Sequence, residues 1–264
     1  MAAGEQEIHL AHDGGQSRGY FASTRTPFYG VFLTAPLLLL YEFFIIFFRY
    51  DRDNYTRNAA DVWIKYLIQH LGAHGTFAFG LLILVFVAFG FISMVRTKLD
   101  LNLKYALYAI FESSAYAWIL ALVASWLTSF ILVHLRMDEL TQFNLVLAVG
   151  AGVYEELIFR AIGYGLVPHL LLAIFRLPDL FRRGASEYRK LINMHIGFEL
   201  KLFAALISSI LFAWLHNIHS FSLDYTTLYR FCMGLLFCLL FEIRGLGVVV
   251  WTHSLYDIFV FVLA

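Results

Sequence analysis

Long apolar stretches separated by short polar ones run from Pro27 to the carboxyl terminus. A hydrocarbon core of about 30 Å requires about 20 apolar residues in a helix. Because only helices and closed barrels satisfy the backbone in lipid, the pattern predicts an all-α, polytopic transmembrane helix bundle with seven to eight spans. The predicted spans are 28–48, 76–95, 105–135, 142–164, 199–215, 226–243 and 246–263. The short apolar run 169–175 either extends the fourth span past a kink or forms a separate interfacial piece.

Two further segments lie outside these spans. Residues 1–26 are polar and are predicted to form a flexible amino-terminal tail, whereas residues 27–264 are predicted to form a single domain. Between the first two spans, apolar residues recur at helical spacing and predict an amphipathic helix that lies in the membrane interface. These residues are Val62, Trp63, Tyr66, Leu67 and Leu71.

Composition supports a membrane protein and excludes several other classes. The chain is 61% hydrophobic and 14% charged, whereas soluble domains are about 45–50% apolar and about 25% charged. The net charge of zero gives no indication of nucleic-acid binding. Cys232 and Cys238 lie six residues apart, so a helix directs them to different faces and neither a disulfide nor a metal pair is expected.

Lysine and arginine predict the orientation of the chain. They concentrate in the loops 96–104 and 176–201, which the positive-inside rule places in the cytoplasm together with the amino terminus. The loop 49–65 is also basic, which does not fit a regular alternation of cytoplasmic and external loops. The expected location is the inner cell membrane, in a multi-pass arrangement.

The fourth span carries Glu155, Glu156 and Arg160 within an apolar segment. Each such charge costs roughly 2.5–3.5 kcal/mol at the centre of a membrane helix, which favours an enclosed polar site. Glu156 and Arg160 are spaced i, i+4 and share a helix face, so they are expected to pair. Glu155 faces elsewhere and is available as a general base.

Two later spans carry histidines. His216 ends one apolar span, and His253 lies four residues before Asp257 in the last span, so the latter two present themselves to one point. A carboxylate with a histidine can activate water, and a His–Asp pair can polarise a carbonyl or hold a metal, so the set favours hydrolysis. In straight helices, however, Glu155 and His216 would lie at different depths. Either the span boundaries shift, or the helix breaks near Gly150, Gly152 or Gly163.

The motifs Glu-Glu-x-x-x-Arg at 155–160, Phe-x-x-x-His at 212–216 and His-x-x-x-Asp at 253–257 occur in this order. Over about residues 140–264, the chain resembles the CAAX prenyl endopeptidase and bacteriocin-processing family of intramembrane proteases. The resemblance implies a helix bundle that cleaves a peptide or protein substrate at the lipid bilayer, with or without a lipid attached to that substrate.

The same resemblance implies a role for each motif residue. Glu155 and His216 would activate water, His253 and Asp257 would form the oxyanion site, and Glu156 with Arg160 would brace the first of these helices. The third motif ends in Asn or Asp in this family. Asp257 can donate a hydrogen bond only when it is protonated.

No cofactor follows with certainty from the sequence. If zinc is used, Glu155, His216 and His253 are the expected metal ligands, but the absence of a His-Glu-x-x-His motif favours a metal-free mechanism. Two alternatives to a protease remain open. One is a non-catalytic family member that acts as an immunity or scaffold protein. The other is an ion-coupled transporter, although the sequence shows no repeat symmetry.

Other polar residues of the chain have less support as site residues. Glu42 and Glu112 lie within apolar spans and are expected to form structural pairs. His219, one turn beyond His216, is a candidate auxiliary residue of the site.

Overall fold

The structure is a computed structural model that describes residues 19–47, 58–70, 75–97, 101–129, 142–178, 197–216 and 224–263. Every regular element in these ranges is helical, which confirms the all-α prediction. The elements are α1 (Tyr20–Thr24), α2 (Pro27–Phe47), α3 (Ala59–His70), α4 (Gly75–Thr97), α5 (Leu103–Ser129), α6 (Gln142–Gly150), a π-helical segment (Ala151–Leu166), α7 (Val167–Phe175), α8 (Phe198–Leu215), α9 (Tyr225–Arg244) and α10 (Leu246–Leu263).

Within the described residues, five helical stretches are long and apolar enough to cross a membrane. They are Pro27–Ile45, Leu103–Ala124, Leu145–Phe175, Phe198–Leu215 and Tyr225–Arg244, and two shorter apolar helices are Ile83–Arg96 and Leu246–Val260. Large apolar side chains point outward, as Phe111 does with 73% of its surface exposed. A soluble domain would bury such a surface, so the chain is an integral membrane protein. The number of seven to eight spans stays a prediction.

Helix α10 lies at the centre of the bundle and packs against α2, α5, α6, α9 and the π segment. Val248, Val249 and Val250 are fully buried, as expected for a helix that is surrounded by others on all sides. The Trp251 indole N–H donates to the Leu33 carbonyl of α2 at 2.8 Å. These contacts fix the position of the helix that carries His253 and Asp257.

The fourth predicted span is a continuous helix that runs through α6, the π segment and α7. In the π segment, backbone bonds reach five residues back, and the N–H of Val167 still donates to the Ile162 carbonyl. Pro168 follows where the pattern returns to α and its missing N–H is tolerated. The run 169–175 therefore extends the fourth span rather than forming a separate interfacial piece. Segments of π-helix are rare and occur frequently at functional sites.

Two glycines allow this long helix to approach its neighbours. A Cβ atom on Gly150 would lie 2.2 Å from the Tyr41 ring of α2, and one on Gly152 would lie 2.1 Å from the Ser254 hydroxyl of α10. Any larger residue would separate these helices. The expected break near a glycine is thus a change of helix type that begins directly after Gly150.

One predicted boundary needs correction. The predicted flexible tail 1–26 includes Tyr20–Thr24, which forms α1 because its polar side chains bond to the bundle. Thr24, for example, accepts a hydrogen bond from Arg244 at 3.2 Å. The predicted third span reaches 135, and the structure describes α5 up to Ser129, so the end of this span stays a prediction. Residues 1–18 and 130–141 lie outside the described part of the chain.

Helix α3 matches the predicted amphipathic helix. Its acidic residue Asp61 is fully buried and forms an ion pair with Lys65 at 2.7 Å. Its apolar residues Val62, Trp63, Tyr66 and Leu67 point outward. This polarity is the reverse of a soluble surface helix and is typical of a helix in contact with lipid.

Candidate active site

The π segment places Glu155 beside the end of α8. The Glu155 Oε2 atom lies 3.6 Å from His216 Nε2, so the two residues share a depth in the bundle. The Ser208 hydroxyl holds the two helices together by donating to the Phe159 carbonyl at 2.6 Å. The Glu155 side chain is 5% exposed and that of His216 is 31% exposed. The pair therefore reaches from the interior of the protein to its surface.

The backbone sets the tautomer of His216. Its Nδ1 lies 2.8 Å from the Phe212 carbonyl, which can only accept a hydrogen bond, so Nδ1 carries the proton. In the neutral ring, Nε2 then presents a lone pair to Glu155. In the described part of the chain, Glu155 Oε2 is buried and has no hydrogen-bond partner. Two acceptors thus face each other across a gap.

Glu156 joins two of the predicted motifs. Its Oε1 lies 3.0 Å from Arg160 Nη1 and 2.7 Å from His253 Nδ1. The expected pair of Glu156 with Arg160 is present, and the contact with His253 was not expected from the sequence. Since a carboxylate can only accept, His253 Nδ1 donates to it. Glu156 therefore orients the imidazole of His253 as well as the guanidinium.

Aromatic rings enclose this charged cluster. The Arg160 guanidinium lies 4.4 Å from the centroid of the Phe212 ring and 5.2 Å from that of Phe237. Phe237 also stacks on the His253 ring, with centroids 4.5 Å apart. Arg160, Glu156 and His253 are buried. A low-polarity environment of this kind strengthens the ion pair and excludes water from it.

Asp257 lies on the outer side of His253. Its Oδ2 atom is 3.6 Å from His253 Nε2, beyond hydrogen-bond distance, and its side chain is 22% exposed. Arg230 of α9 acts electrostatically on both Asp257 and Glu155. The side of the site that carries Asp257 and His216 therefore faces the protein surface.

The structure brings together all six residues that the sequence singled out, from the π segment, α8 and α10. The auxiliary candidate His219 lies outside the described residues. Glu42 pairs with Lys65 at 3.3 Å, and Glu112 pairs with Arg244, so both form the structural contacts expected of them.

Two contributors were not identified from the sequence. Asn58 donates from its side-chain amide to Glu155 Oε1 at 3.0 Å, and Arg230 supplies a positive charge near the site. Asn58 stands directly before α3, so the preference for asparagine at helix starts could have drawn attention to it. No sequence signal connects it to Glu155, which is 97 residues away.

The expected zinc ligands do not form a metal site. Among the residues that the structure describes, no group of three His, Cys, Asp or Glu side chains is arranged to hold a metal ion. Glu155 and His216 face each other, but His253 directs Nδ1 to Glu156 and Nε2 towards Asp257.

Comparison with known proteins places the site in a family. Residues 137–259 match the family model described as Type II CAAX prenyl endopeptidase Rce1-like. Comparisons with curated proteins and with solved structures give no match. The matched segment contains all three motifs, whereas helices α1 to α5 lie before it. Over residues 137–259, this integral membrane protein is therefore similar to the Rce1-like family of type II CAAX prenyl endopeptidases, a family of CAAX proteases.

Proposed function

We propose that this protein is an intramembrane endopeptidase in which Glu155 and His216 activate water to hydrolyse a peptide bond. The substrate is a membrane-associated or C-terminally modified peptide or protein, and the family description points to a prenylated CAAX end. The observation that carries the proposal is the buried Glu155 Oε2 atom, which faces His216 Nε2 at 3.6 Å and accepts no hydrogen bond from a described residue.

A water molecule can bridge these two atoms from one side, with its oxygen about 2.8 Å from each of them. Both Glu155 Oε2 and the neutral His216 Nε2 are acceptors, and a water molecule has two O–H groups to donate to them. Such a water keeps its lone pair free for attack on a carbonyl carbon. Glu155 then takes a proton from the water as general base while the hydroxyl oxygen bonds to the carbonyl carbon and the π electrons move to the carbonyl oxygen. When this intermediate collapses, the carbonyl re-forms, the C–N bond breaks, and the leaving nitrogen takes the proton from Glu155.

The third motif suits the developing oxyanion. Glu156 accepts from His253 Nδ1 at 2.7 Å, so Nε2 is left on the outer side of the ring, and an Nε2–H at this position would be the donor that an oxyanion needs. His253 Nε2 and Asp257 stand 3.6 Å apart and do not bond to each other, so both remain able to contact a substrate oxygen. A donor aimed at the charge that develops in the transition state typically contributes about 10²–10³-fold in rate.

The location and orientation complete the proposal. If the two shorter apolar helices also cross the membrane, the described residues contain seven crossings, which is the number that we propose. The basic loops 96–104 and 176–201 connect α4 to α5 and α7 to α8. The described residues Asn102 and Lys201 of these segments contact Tyr29 and Glu242, close to the point where Arg25 donates to the Glu242 carbonyl. We place this end of the bundle and the amino terminus in the cytoplasm, and the protein in the inner cell membrane.

The test is cleavage of a fluorogenic farnesylated CAAX peptide by the protein in liposomes. Glu155→Ala, His216→Ala and His253→Ala are expected to abolish hydrolysis while they still accumulate in the membrane. His169→Ala is the matched control, because His169 is exposed and bonds to the Gly165 carbonyl of its own helix. It should retain activity.

Other outcomes separate the alternative functions. Normal cleavage by all three variants would rule out the proposed mechanism. Variants that disappear from the membrane would favour an immunity or scaffold role, in which the polar residues serve stability. Ion flux in vesicles that depends on Glu155 would favour a transporter.

A further inference from the structure

The residue directly before α3 reaches the proposed active site from outside the family segment. Asn58 donates from its Nδ2 atom to Glu155 Oε1 at 3.0 Å. We propose that Asn58 is a positioning residue, which holds the Glu155 carboxylate so that its second oxygen stays directed at His216. This inference rests on the proposed function, because it assigns Asn58 a part in that reaction.

Both ends of the Asn58 amide are occupied. Its Oδ1 atom accepts from the backbone N–H of Ala60 at 2.8 Å, which caps the start of α3. Its backbone N–H donates to the Tyr41 hydroxyl at 3.1 Å. Because Oδ1 must face an N–H donor, the amide nitrogen must face Glu155. The side chain therefore has one orientation, with its donor on the carboxylate.

A network of buried groups holds Asn58 in this arrangement. The Tyr41 hydroxyl donates to Asp61 Oδ2 at 3.1 Å, and Asp61 pairs with Lys65 at 2.7 Å. The Tyr41 ring packs edge-on against Tyr154, the residue before Glu155, with centroids 5.4 Å apart. Helices α2 and α3 and the π segment thus meet around Asn58. A donor that is itself held in place restricts the motion of the group that it contacts.

The consequence for Glu155 is a single reactive orientation. Its Oε1 atom is engaged by Asn58, and its Oε2 atom is left to face His216. Without Asn58, the carboxylate can rotate and the two acceptors no longer hold their separation. Since a misplacement of about 1 Å can cost about 10²-fold in rate, we expect the loss to appear in kcat rather than in KM.

The chain contains a matched control at Asn102. The backbone N–H of Asn102 donates to a tyrosine hydroxyl, that of Tyr29, at 2.9 Å, and its Oδ1 accepts from the N–H of Lys104 at 3.0 Å. Asn102 thus caps its helix as Asn58 does, and both residues donate from the backbone N–H to a tyrosine hydroxyl. No carboxylate of the described residues accepts from the Asn102 amide. A substitution at Asn102 therefore measures the effect of the cap alone.

The decisive variants are Asn58→Ser and Asn58→Ala, assayed with the farnesylated CAAX peptide in liposomes. Serine preserves the helix cap but is too short to reach Glu155, and alanine loses both contacts. Both should lower kcat about 10- to 100-fold with KM little changed. Asn102→Ser should leave kcat unchanged. Wild-type kcat in Asn58→Ser, with or without a defect in Asn58→Ala, would overturn the inference.

A geometric readout distinguishes this inference from the proposed function. In a background that carries Cys232→Ala and Cys238→Ala, the pair Asn58→Cys and Glu155→Cys should crosslink with a short bis-methanethiosulfonate. The pair Asn102→Cys and Glu155→Cys should not. Absence of the first crosslink overturns the positioning role, whatever the activity. If Glu155→Ala still cleaves the peptide, the proposed function fails instead.

Discussion

Two glutamates inside the bundle, Glu112 and Glu155, differ in how many donors they face. Glu112 of α5 accepts from Arg244 through both Nε and Nη2 at 2.6 Å, from Tyr116 at 2.7 Å, and from Tyr20. Glu155 accepts from one side-chain amide, and its Oε2 atom has no hydrogen-bond partner among the described residues. One carboxylate is saturated by the protein and the other is left with capacity to bond a reactant.

The hydrogen-bonded cluster around Glu112 holds helices α1, α5 and α9 together. Arg244 is the last residue of α9 and lies 4.4 Å from the Phe21 ring of α1, so it connects α9 to α1. Burial and the nearby Glu112 carboxylate raise the pKa of the Tyr20 phenol, which therefore stays a neutral donor. A buried carboxylate with both oxygens bonded helps to fix the helices around it, whereas a buried carboxylate oxygen without a partner leaves a place for a reactant.

Glutamine substitution should therefore act oppositely at the two sites. Glu155→Gln keeps the shape of the side chain but removes the general base, so turnover of the farnesylated peptide should fall by about 10²–10⁴-fold with the fold intact. Glu112→Gln should instead lower the unfolding midpoint in detergent, because it leaves Arg244 without its counter-charge. The comparison fails if Glu112→Gln is fully stable but inactive, or if Glu155→Gln turns over normally.

Removal of the cation should give the largest change in stability. Arg244→Met breaks the bidentate pair and leaves Glu112 with an unpaired charge, so the free energy of unfolding should fall by about 3–5 kcal/mol. The exposed Arg25 provides the control, since its guanidinium donates to the Glu242 carbonyl and forms no bidentate pair with a carboxylate in the described part of the chain, and Arg25→Met should change stability by about 0.5 kcal/mol or less. Reversible unfolding in mixed detergent measures both. Equal effects at the two arginines would contradict the distinction.

Sequence reasoning reached the helices and the six candidate site residues for one physical reason. A charge in an apolar segment is costly, so Glu155, Arg160 and Asp257 stand out without any knowledge of the fold. The pairing of Glu156 with Arg160 followed from helical spacing alone. Several helix boundaries also followed, because apolar runs in a membrane end where polar residues begin.

The remaining features depend on tertiary structure. The π segment was not predicted because a helix buried on several sides has no clear apolar stripe from which to read its period. Asn58 was not predicted because its partner lies in another helix and its own segment resembles an ordinary helix start. The saturation of Glu112 depends on donors from α1 and α9, which no local pattern relates to it.

The close approach of the π segment to α10 gives a smaller test. In Gly152→Ala, the new Cβ would lie 2.1 Å from the Ser254 hydroxyl and 2.6 Å from its backbone nitrogen, so the helices must move apart. Overpacking of this kind costs about 1–3 kcal/mol. The substitution should also lower turnover, because a shift of α10 would move His253, which precedes Ser254, away from Glu156.

Gly163 in the same segment is the control for that variant. A Cβ at Gly163 would lie 3.3 Å from the Ile158 carbonyl and 3.7 Å from the Ser208 hydroxyl. The gain in helix propensity of about 0.5–1 kcal/mol offsets this contact, so Gly163→Ala should change stability by no more than about 1 kcal/mol. Equal losses in thermal unfolding of the two alanine variants would show that the approach at Gly152 is not special.

The smallest effect is expected at the mouth of the site, where Asp257 lies 3.6 Å from His253 Nε2. If the oxyanion role is right, Asp257 acts as a polar group that contacts the substrate oxygen, and an amide can replace it because an amide donates at any pH. Asp257→Asn should therefore keep turnover within about tenfold of wild type, whereas Asp257→Ala should lose about 10²–10³-fold. Kinetics of both variants on the farnesylated peptide distinguish the roles. If the asparagine variant is as inactive as the alanine variant, the negative charge itself is required, and Asp257 then serves to balance His253 and Arg230 rather than to contact the oxyanion.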